Sequence, residues 1–389
     1  MKPRILFVCA IVVPVMAIEL WWTDAFAAIF RSSKSIFPAE ASRSKSGELP
    51  KEIKWLEVEN RLGELKIVAD DKAPGWKWNL RVMAATDASA QSGADQTKIQ
   101  AEQSGDHFRL LVSLPNKMVN QSFNSDLEVH VPRSVVVRAI NSFGKLSVAG
   151  LASDVSAKNQ NGQITIQHIK GKVTAQTSFA AMEVEETGPA VLHNQNGSIT
   201  ASGIQGPLEM VSSFGAIAAH EIAGAVKARN QNGQIQVIEA KGDIDLKTSF
   251  GAIRAEKISG AAILLNQNGS ISGKGITGSI EAKTSFAAIE LDSSSTNFDV
   301  QNQNGPIRIR AGSPKLARID ARTSFGAMEL RLPAELKPAI AAQTSFAKVD
   351  SDFPVLTKAN EKEAFRDVER TAPRIVLHNQ NGGIRVIRE

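Results

Sequence analysis

The sequence predicts an all-β fold: a right-handed, single-stranded β-solenoid (β-helix) of roughly 18-residue coils with an irregular β cap at its N-terminal end. Three observations predict it. Between residues 224 and 287 glycine returns every 9 residues, as in GAVKARNQN GQIQVIEAK GDIDLKTSF. Two signatures, NQNG and TSFG/A, alternate there, and each returns about every 36 residues. Within each block apolar and polar residues alternate, the period-2 mark of a strand with one face in a core and the other in water. Two blocks close one coil, and a unit this short buries its apolar face only by stacking on copies of itself.

In chain order, Lys2 and Arg4 precede an apolar run from Ile5 to Ile18, and Ala25-Phe26-Ala27 follows as a cleavage site. This is the pattern of a secretory signal peptide, residues 1–27, and its apolar run is shorter than the ~20 residues that span a bilayer. An uncleaved anchor, lengthened through Leu20–Trp22 across Glu19, is the alternative. Cys9, the one cysteine, lies in this leader, so residues 28–389 offer no thiol, disulfide or Cys-metal site. Residues 28–50 are rich in Ser, Lys and Pro from residue 31 onward and read as a flexible linker.

Residues 51–140 hold strand-like segments at Ile53–Val58, Leu65–Val68, Trp76–Val82, Phe108–Leu114 and Leu127–Val131, separated by polar connectors. An exposed terminal coil is an unpaired sheet edge, so this region reads as the N-terminal cap; a separate sandwich-like domain is the alternative. Solenoid repeats then run over 141–389. In GDIDLKTSF the inward positions are Ile244, Leu246, Thr248 and Phe250, with Asp245, Lys247 and Ser249 outward. After the turn, Ile253 and Ala255 point in, and Ile222, Ala240, Ile258 or Ile276 supply a second apolar site. Glycine marks the corners, where tight backbone approach is needed. The hexapeptide left-handed helix is excluded, because Ile164 is followed six residues later by Lys170 and Ile253 by Ser259. The repeat loosens past residue 290, with a charged insertion near 351–372 in which Lys358–Arg370 reads as a short surface helix; Ile384–Ile387 then reads as the last coil.

One column alternates large and small side chains: Phe143, Asn161, Phe179, Asn196, Phe214, Asn232, Phe250, Asn268, Phe286, Asn304 and Phe325. Parity with Ile244 and Leu246 assigns this structural ladder to the core, with the Asn amides satisfying turn backbone groups. On that assignment Phe250→Ala costs ~3–5 kcal/mol through a cavity. The competing reading is an exposed platform for lipid, glycan or peptide.

Composition narrows the function. Hydrophobic residues at 42% and charged residues at 22% fit an ordered protein. The formal charge of +5 is spread along the chain, without the dense basic face of a nucleic-acid binder. Catalytic solenoids converge carboxylates on one face. Here the column Glu290, Arg308, Glu329 alternates in sign, as an exposed ion-pair ladder does, and Glu183, Glu185 and Glu186 read as a solvated face. His168, His193 and His220 occupy unlike columns, and no ligand spacing or phosphate-binding motif appears. No catalytic residue, cofactor or metal is therefore expected. Lys227, Arg229, Lys247 and Lys283, with Gln195, Gln231 and Gln267, form a candidate polar contact face.

Val131-Pro-Arg-Ser-Val-Val-Val-Arg, Asn141-Ser-Phe-Gly-Lys-Leu-Ser-Val-Ala-Gly and the repeated Asn-Gly-x-Ile turns behind an exported leader resemble the bacterial putative-adhesin family of β-strand-repeat envelope proteins, a domain of unknown function. The resemblance spans roughly residues 51–389 and implies a β-solenoid at the cell envelope with no established enzymatic activity. The expectation is an exported, non-catalytic binding or structural module, periplasmic or extracellular, whose partner is an envelope polymer, a surface glycan or a protein. Membrane contact would come only through an uncleaved N-terminal segment. An envelope-stress or regulatory sensor with a protein partner is the alternative, and a carbohydrate-active β-helix enzyme the second.

Overall fold

The computed structural model describes residues 37–50, 52–357 and 372–389. The leader, Cys9 and the charged stretch 358–370 lie outside the described residues. The chain is a β-solenoid of about 12 turns with coils of about 18 residues. Each regular coil contributes two strands, one to each of two parallel sheets. Ile244–Thr248 of the leading sheet pairs in register with Val226–Asn230 on one side and Ala262–Asn266 on the other. Ile253–Ile258 of the trailing sheet does the same with Ile235–Ala240 and Ile271–Ile276. Identical positions thus stack, and files of Ile, Val, Leu and Ala between the sheets form one continuous core from Leu49 to Val386.

The trailing strands bury a third residue out of step with simple alternation: Ile253, Ala255 and then Ile258. A residue with positive φ supplies the extra unit, here Lys257 at 56° and in neighbouring coils Glu239, Glu221, Glu186 and His168. One residue in that conformation acts as a bulge, turning the next side chain back into the core.

At the N-terminal end the order in space departs from the order in sequence. The coil Trp55–Glu59/Leu65–Ala69 is sandwiched between His107–Ser113/Gln121–Val131 outside it and Val136–Asn141/Leu146–Ala149 inside it. Antiparallel strands then close the end. Gly75–Ala84 pairs with Gln121–Val131, Lys98–Ser104 with His107–Ser113, and helix Asp87–Gln96, capped by the Thr86 hydroxyl, joins them. Trp76 and Trp78 are buried there. Residues 39–48, read above as linker, are instead a strand antiparallel to Gly75–Ala84. Their sequence, AEASRSKSGE, lacks a core pattern because this is the outermost strand, and charged edge strands resist further pairing. It is held by its backbone ladder and by Gly47, where any Cβ would lie 2.7 Å from the Trp76 ring.

The C-terminal end uses the same device. Arg374–Asn379 lies between Arg318–Thr323 and Ala339–Thr344, and Ile384–Arg388 between Met328–Leu332 and Val349–Ser351. The final strands therefore lie inside the stack and not at its end, covered by Ala339–Thr344 and Val349–Ser351, with Val355–Leu356 paired outside Ala339–Thr344. The insertion ties the chain end on both sides.

Candidate functional site

The corner between leading and trailing strands is where the NQNG and TSFG/A signatures fall. On the rungs of Asn194, Asn230, Asn266, Asn302 and Asn379 this first Asn of the signature is buried and serves both backbone directions, whereas Asn159 only donates. Asn266 Nδ2 donates to the Gly251 carbonyl of the rung before at 2.7 Å, and its Oδ1 accepts from Gly269 N–H at 2.9 Å. Asn230 repeats this with Gly215 and Gly233. On the Phe rungs Thr248 and Thr284 donate their hydroxyls to the carbonyls of Gly233 and Gly269. A buried Asn/Thr ladder thereby pairs the turn carbonyls that the core would otherwise strand.

Past that ladder the strand ends, and inward parity ends with it. Thr248 is the last inward side chain of its strand; Ser249 and Phe250 already belong to the turn. The Phe/Asn file therefore faces outward, and its assignment to the core is wrong. Phe143, Phe179, Phe214, Phe250, Phe286 and Phe325 are 50% to 62% exposed. Alternation predicts facing only while the backbone stays extended. The second Asn of each NQN lies flatter against the edge: Asn196, Asn232, Asn268 and Asn304 donate Nδ2 to the carbonyls of Ser178, Ser213, Ser249 and Ser285. Asn161 shares the file, half-buried between Phe143 and Phe179.

Two members escaped the sequence reading. Phe346, 78% exposed, continues the file, and Asn381 stands between it and Phe325. Their signal was present in T-S-F at 344–346 and N-Q-N-G at 379–382. In chain order two Phe rungs follow one another; the inserted C-terminal coil restores Phe, Asn, Phe. The result is seven phenyl rings on alternate rungs of one edge.

The candidate polar contact face is brought together on the outside of the leading sheet, but as a ladder of pairs. Lys227 lies 3.2 Å from Glu209, Arg229 bonds Asp245, Lys247 is 3.6 Å from Asp245, and Lys283 is 2.7 Å from Glu281. The hydrogen bond that Lys283 donates to Glu281 raises the Lys283 pKa above its ordinary value. Gln195, Gln231 and Gln267 stand apart from these residues, exposed at the Phe/Asn edge. A shallow groove of about 560 Å³ beside this sheet is lined mainly by Pro189, Val191, Pro207, Leu208 and Ile263.

Several acids of the trailing sheet are similarly engaged. Glu290 and Arg308 meet at 2.7 Å, and Arg308 and Glu329 occupy one register file. Glu185 and Glu186 meet Gln167 and His168 at 2.9 and 2.7 Å, and Glu183 is exposed in the adjoining file. His193 lies on the leading sheet, whereas His168 and His220 lie on the trailing one. Among the described residues one group has metal-ligand proximity, His220, Glu221 and Glu239, at the opposite corner. It is largely exposed, and the Lys257 ammonium hydrogen-bonds Glu239 and lowers its pKa. Among the described residues no helix is long and apolar enough to cross a membrane.

The Toastrack DUF4097 family model matches residues 76–386. The chain belongs to this family. Solved structures similar to this Toastrack chain include a putative adhesin from Bacteroides fragilis, 15% identical, with a TM-score of 0.32; the match covers 67% of this chain and 97% of that one. A putative cell adhesion protein from Clostridium sporogenes is 8% identical, covers 90% of this chain and 100% of its own, and has a TM-score of 0.17. A putative lipid binding protein from Parabacteroides distasonis is 12% identical over 90% and 97% of the two chains, with a TM-score of 0.23. No curated protein matches.

Proposed function

We propose that this Toastrack protein is an exported, non-catalytic binding or structural module of the bacterial cell envelope that works through its Phe/Asn edge. The observation that carries the proposal is the file of seven phenyl rings standing in water along one edge. Core packing does not require them, since the Asn/Thr ladder beneath already closes the corner. An ordered apolar strip of this extent on a soluble surface marks an interaction site. The charged files of the trailing sheet support a non-catalytic reading: where Glu290, Asp292, Glu329 and Glu389 line a shallow groove, Arg308, Arg310 and Arg331 pair with them. The signal-peptide pattern of residues 1–27 supports export.

Fractionation of cells making the protein tests this. Wild type is expected with the envelope fraction, and a Phe214→Ala/Phe250→Ala/Phe286→Ala variant with unchanged far-UV dichroism in the soluble fraction. Equal envelope association of the two would refute the edge as the working surface. Release of sugar from any envelope polysaccharide, abolished by a single Glu or Asp substitution, would refute the non-catalytic assignment.

A further inference from the structure

We infer that the occupant of the Phe/Asn edge is a second copy of this chain, laid antiparallel along it, with the rings of each copy seated over the Asn rungs of the other. This rests on the reading of that edge as an interaction surface. The first argument is pitch. Phe143 and Phe346 are separated by twelve rung steps. At ~4.8 Å per rung the rings stand ~9.6 Å apart over ~58 Å. A partner engages all of them only if it keeps that step throughout, and a second copy has the same step by construction.

Shape is the second argument. Rungs with a projecting ring alternate with rungs whose Asn is folded onto a Ser carbonyl, so the edge is a rack of teeth and gaps. A two-fold axis perpendicular to the solenoid and passing between adjacent rungs sets every tooth opposite a gap. Such an interface is isologous and closes at two copies. The inserted C-terminal coil keeps the alternation to the final rung, where chain order alone would set Phe325 and Phe346 on neighbouring rungs.

Area and charge agree with this occupant. Exposures of 50% to 78% on seven rings that carry about 200 Å² each amount to roughly 850 Å² per copy, close to the ~800 Å² per partner of a stable interface. From Phe179 to Phe325 the TSF, SSF and NQN turns hold no charged side chain. Two copies can therefore meet without burying an ion or opposing like charges. The exposed Gln231 and Gln267 amides beside the Asn file can bond across the seam.

Analytical ultracentrifugation of the full exported chain, with far-UV dichroism as the folding control, tests the inference. Wild type is expected as a dimer, and Phe214→Ala/Phe250→Ala/Phe286→Ala as a monomer or at least tenfold weaker. Asn232→Phe/Asn268→Phe fills gaps while adding apolar surface, and it too is expected to weaken the dimer. Tighter association of that variant means unspecific stickiness and overturns the inference, as does a wild type that stays monomeric or an alanine variant that stays dimeric. The exported chain has no cysteine of its own, so a spin label at Ser345→Cys reports orientation. Antiparallel copies set the two labels eleven or thirteen rungs apart, ~53–62 Å at ~4.8 Å per rung; a short separation overturns the arrangement. A monomeric wild type whose alanine variant still leaves the envelope fraction would sink the dimer alone. An alanine variant that stays with the envelope would sink the edge reading beneath it.

Discussion

The buried amide at the corner and the phenyl ring just outside it should answer oppositely to removal. Asn266 is 8% exposed, and its carboxamide is the side-chain partner of both the Gly251 carbonyl and the Gly269 N–H. Asn266→Ala leaves both without it under cover of the next rung. Each buried group left unpaired costs ~1–3 kcal/mol, so the expected loss for the two is ~2–6 kcal/mol. Asn266→Thr, which borrows the residue of the Phe rungs, returns a donor to Gly251 but no acceptor to Gly269, and about half the loss should remain. Phe250, 60% exposed, should cost only about 0.5–1 kcal/mol on truncation to Ala, against the ~3–5 kcal/mol of a buried ring. Long repeat arrays need not unfold in one step, so the local measure is preferable. Native-state hydrogen exchange at residues 251–270, alongside urea unfolding, gives it. An Asn266→Ala variant within 0.5 kcal/mol of wild type, or a Phe250→Ala variant that loses more than it, would refute this account of the corner.

Three further outcomes are expected. A Cβ at Gly269 would lie 2.3 Å from the Gly251 oxygen and 2.7 Å from the Asn266 amide; Gly269→Ala should cost about 1–3 kcal/mol by crowding. At Gly251 a Cβ would lie 2.1 Å from the Gly233 oxygen, yet Ala180 and Ala287 occupy the equivalent place on other Phe rungs. The backbone there can therefore adjust, and Gly251→Ala should cost less; thermal melts compare the two. Glu389 hydrogen-bonds Arg331 and Arg310, which hold its carboxyl below its ordinary 4.5. A carboxyl with a lowered folded pKa stabilises fully above the unfolded value, so its contribution to the C-terminal coil fades as pH falls through the lowered one. Hydrogen exchange of residues 384–389 should accelerate over that acid range in wild type, whereas Glu389→Gln should already be fast at neutral pH. Truncation after residue 373 removes the coil that carries the end of the stack, so Ala339–Thr344 and Val349–Ser351 lose their inner partners. Limited proteolysis should then cut between residues 333 and 357 while the coils before it resist; unchanged resistance there would count against the observed order.

The ladder of coils was legible because each coil repeats its own chemistry. Ile235, Ile253 and Ile271 announce one inward column, and the alternating signs of Glu290, Arg308 and Glu329 announce an ion-pair file. The direction of the Phe file was not legible. Counting parity from Ile244 carries Phe250 inward, yet the backbone leaves the extended state at Thr248 and the count loses its meaning there. The strand at Ala39–Glu48 was hidden for a different reason, since an outermost strand is selected for solubility more than for core pattern.

Local sequence by itself determined what each rung is made of: its inward Ile and Ala, its corner glycine, its Asn or Phe signature. These follow from the period of an extended chain and from the backbone groups each turn leaves unpaired. Only the tertiary structure decided which rung lies beside which at the two ends, and that the rings stand outside. Equivalent rungs offer interchangeable edges, so stacking order is settled by how the whole chain closes its free ends. The facing of a turn residue, likewise, is set by the path of a corner and not by the alternation of the strand that leads into it.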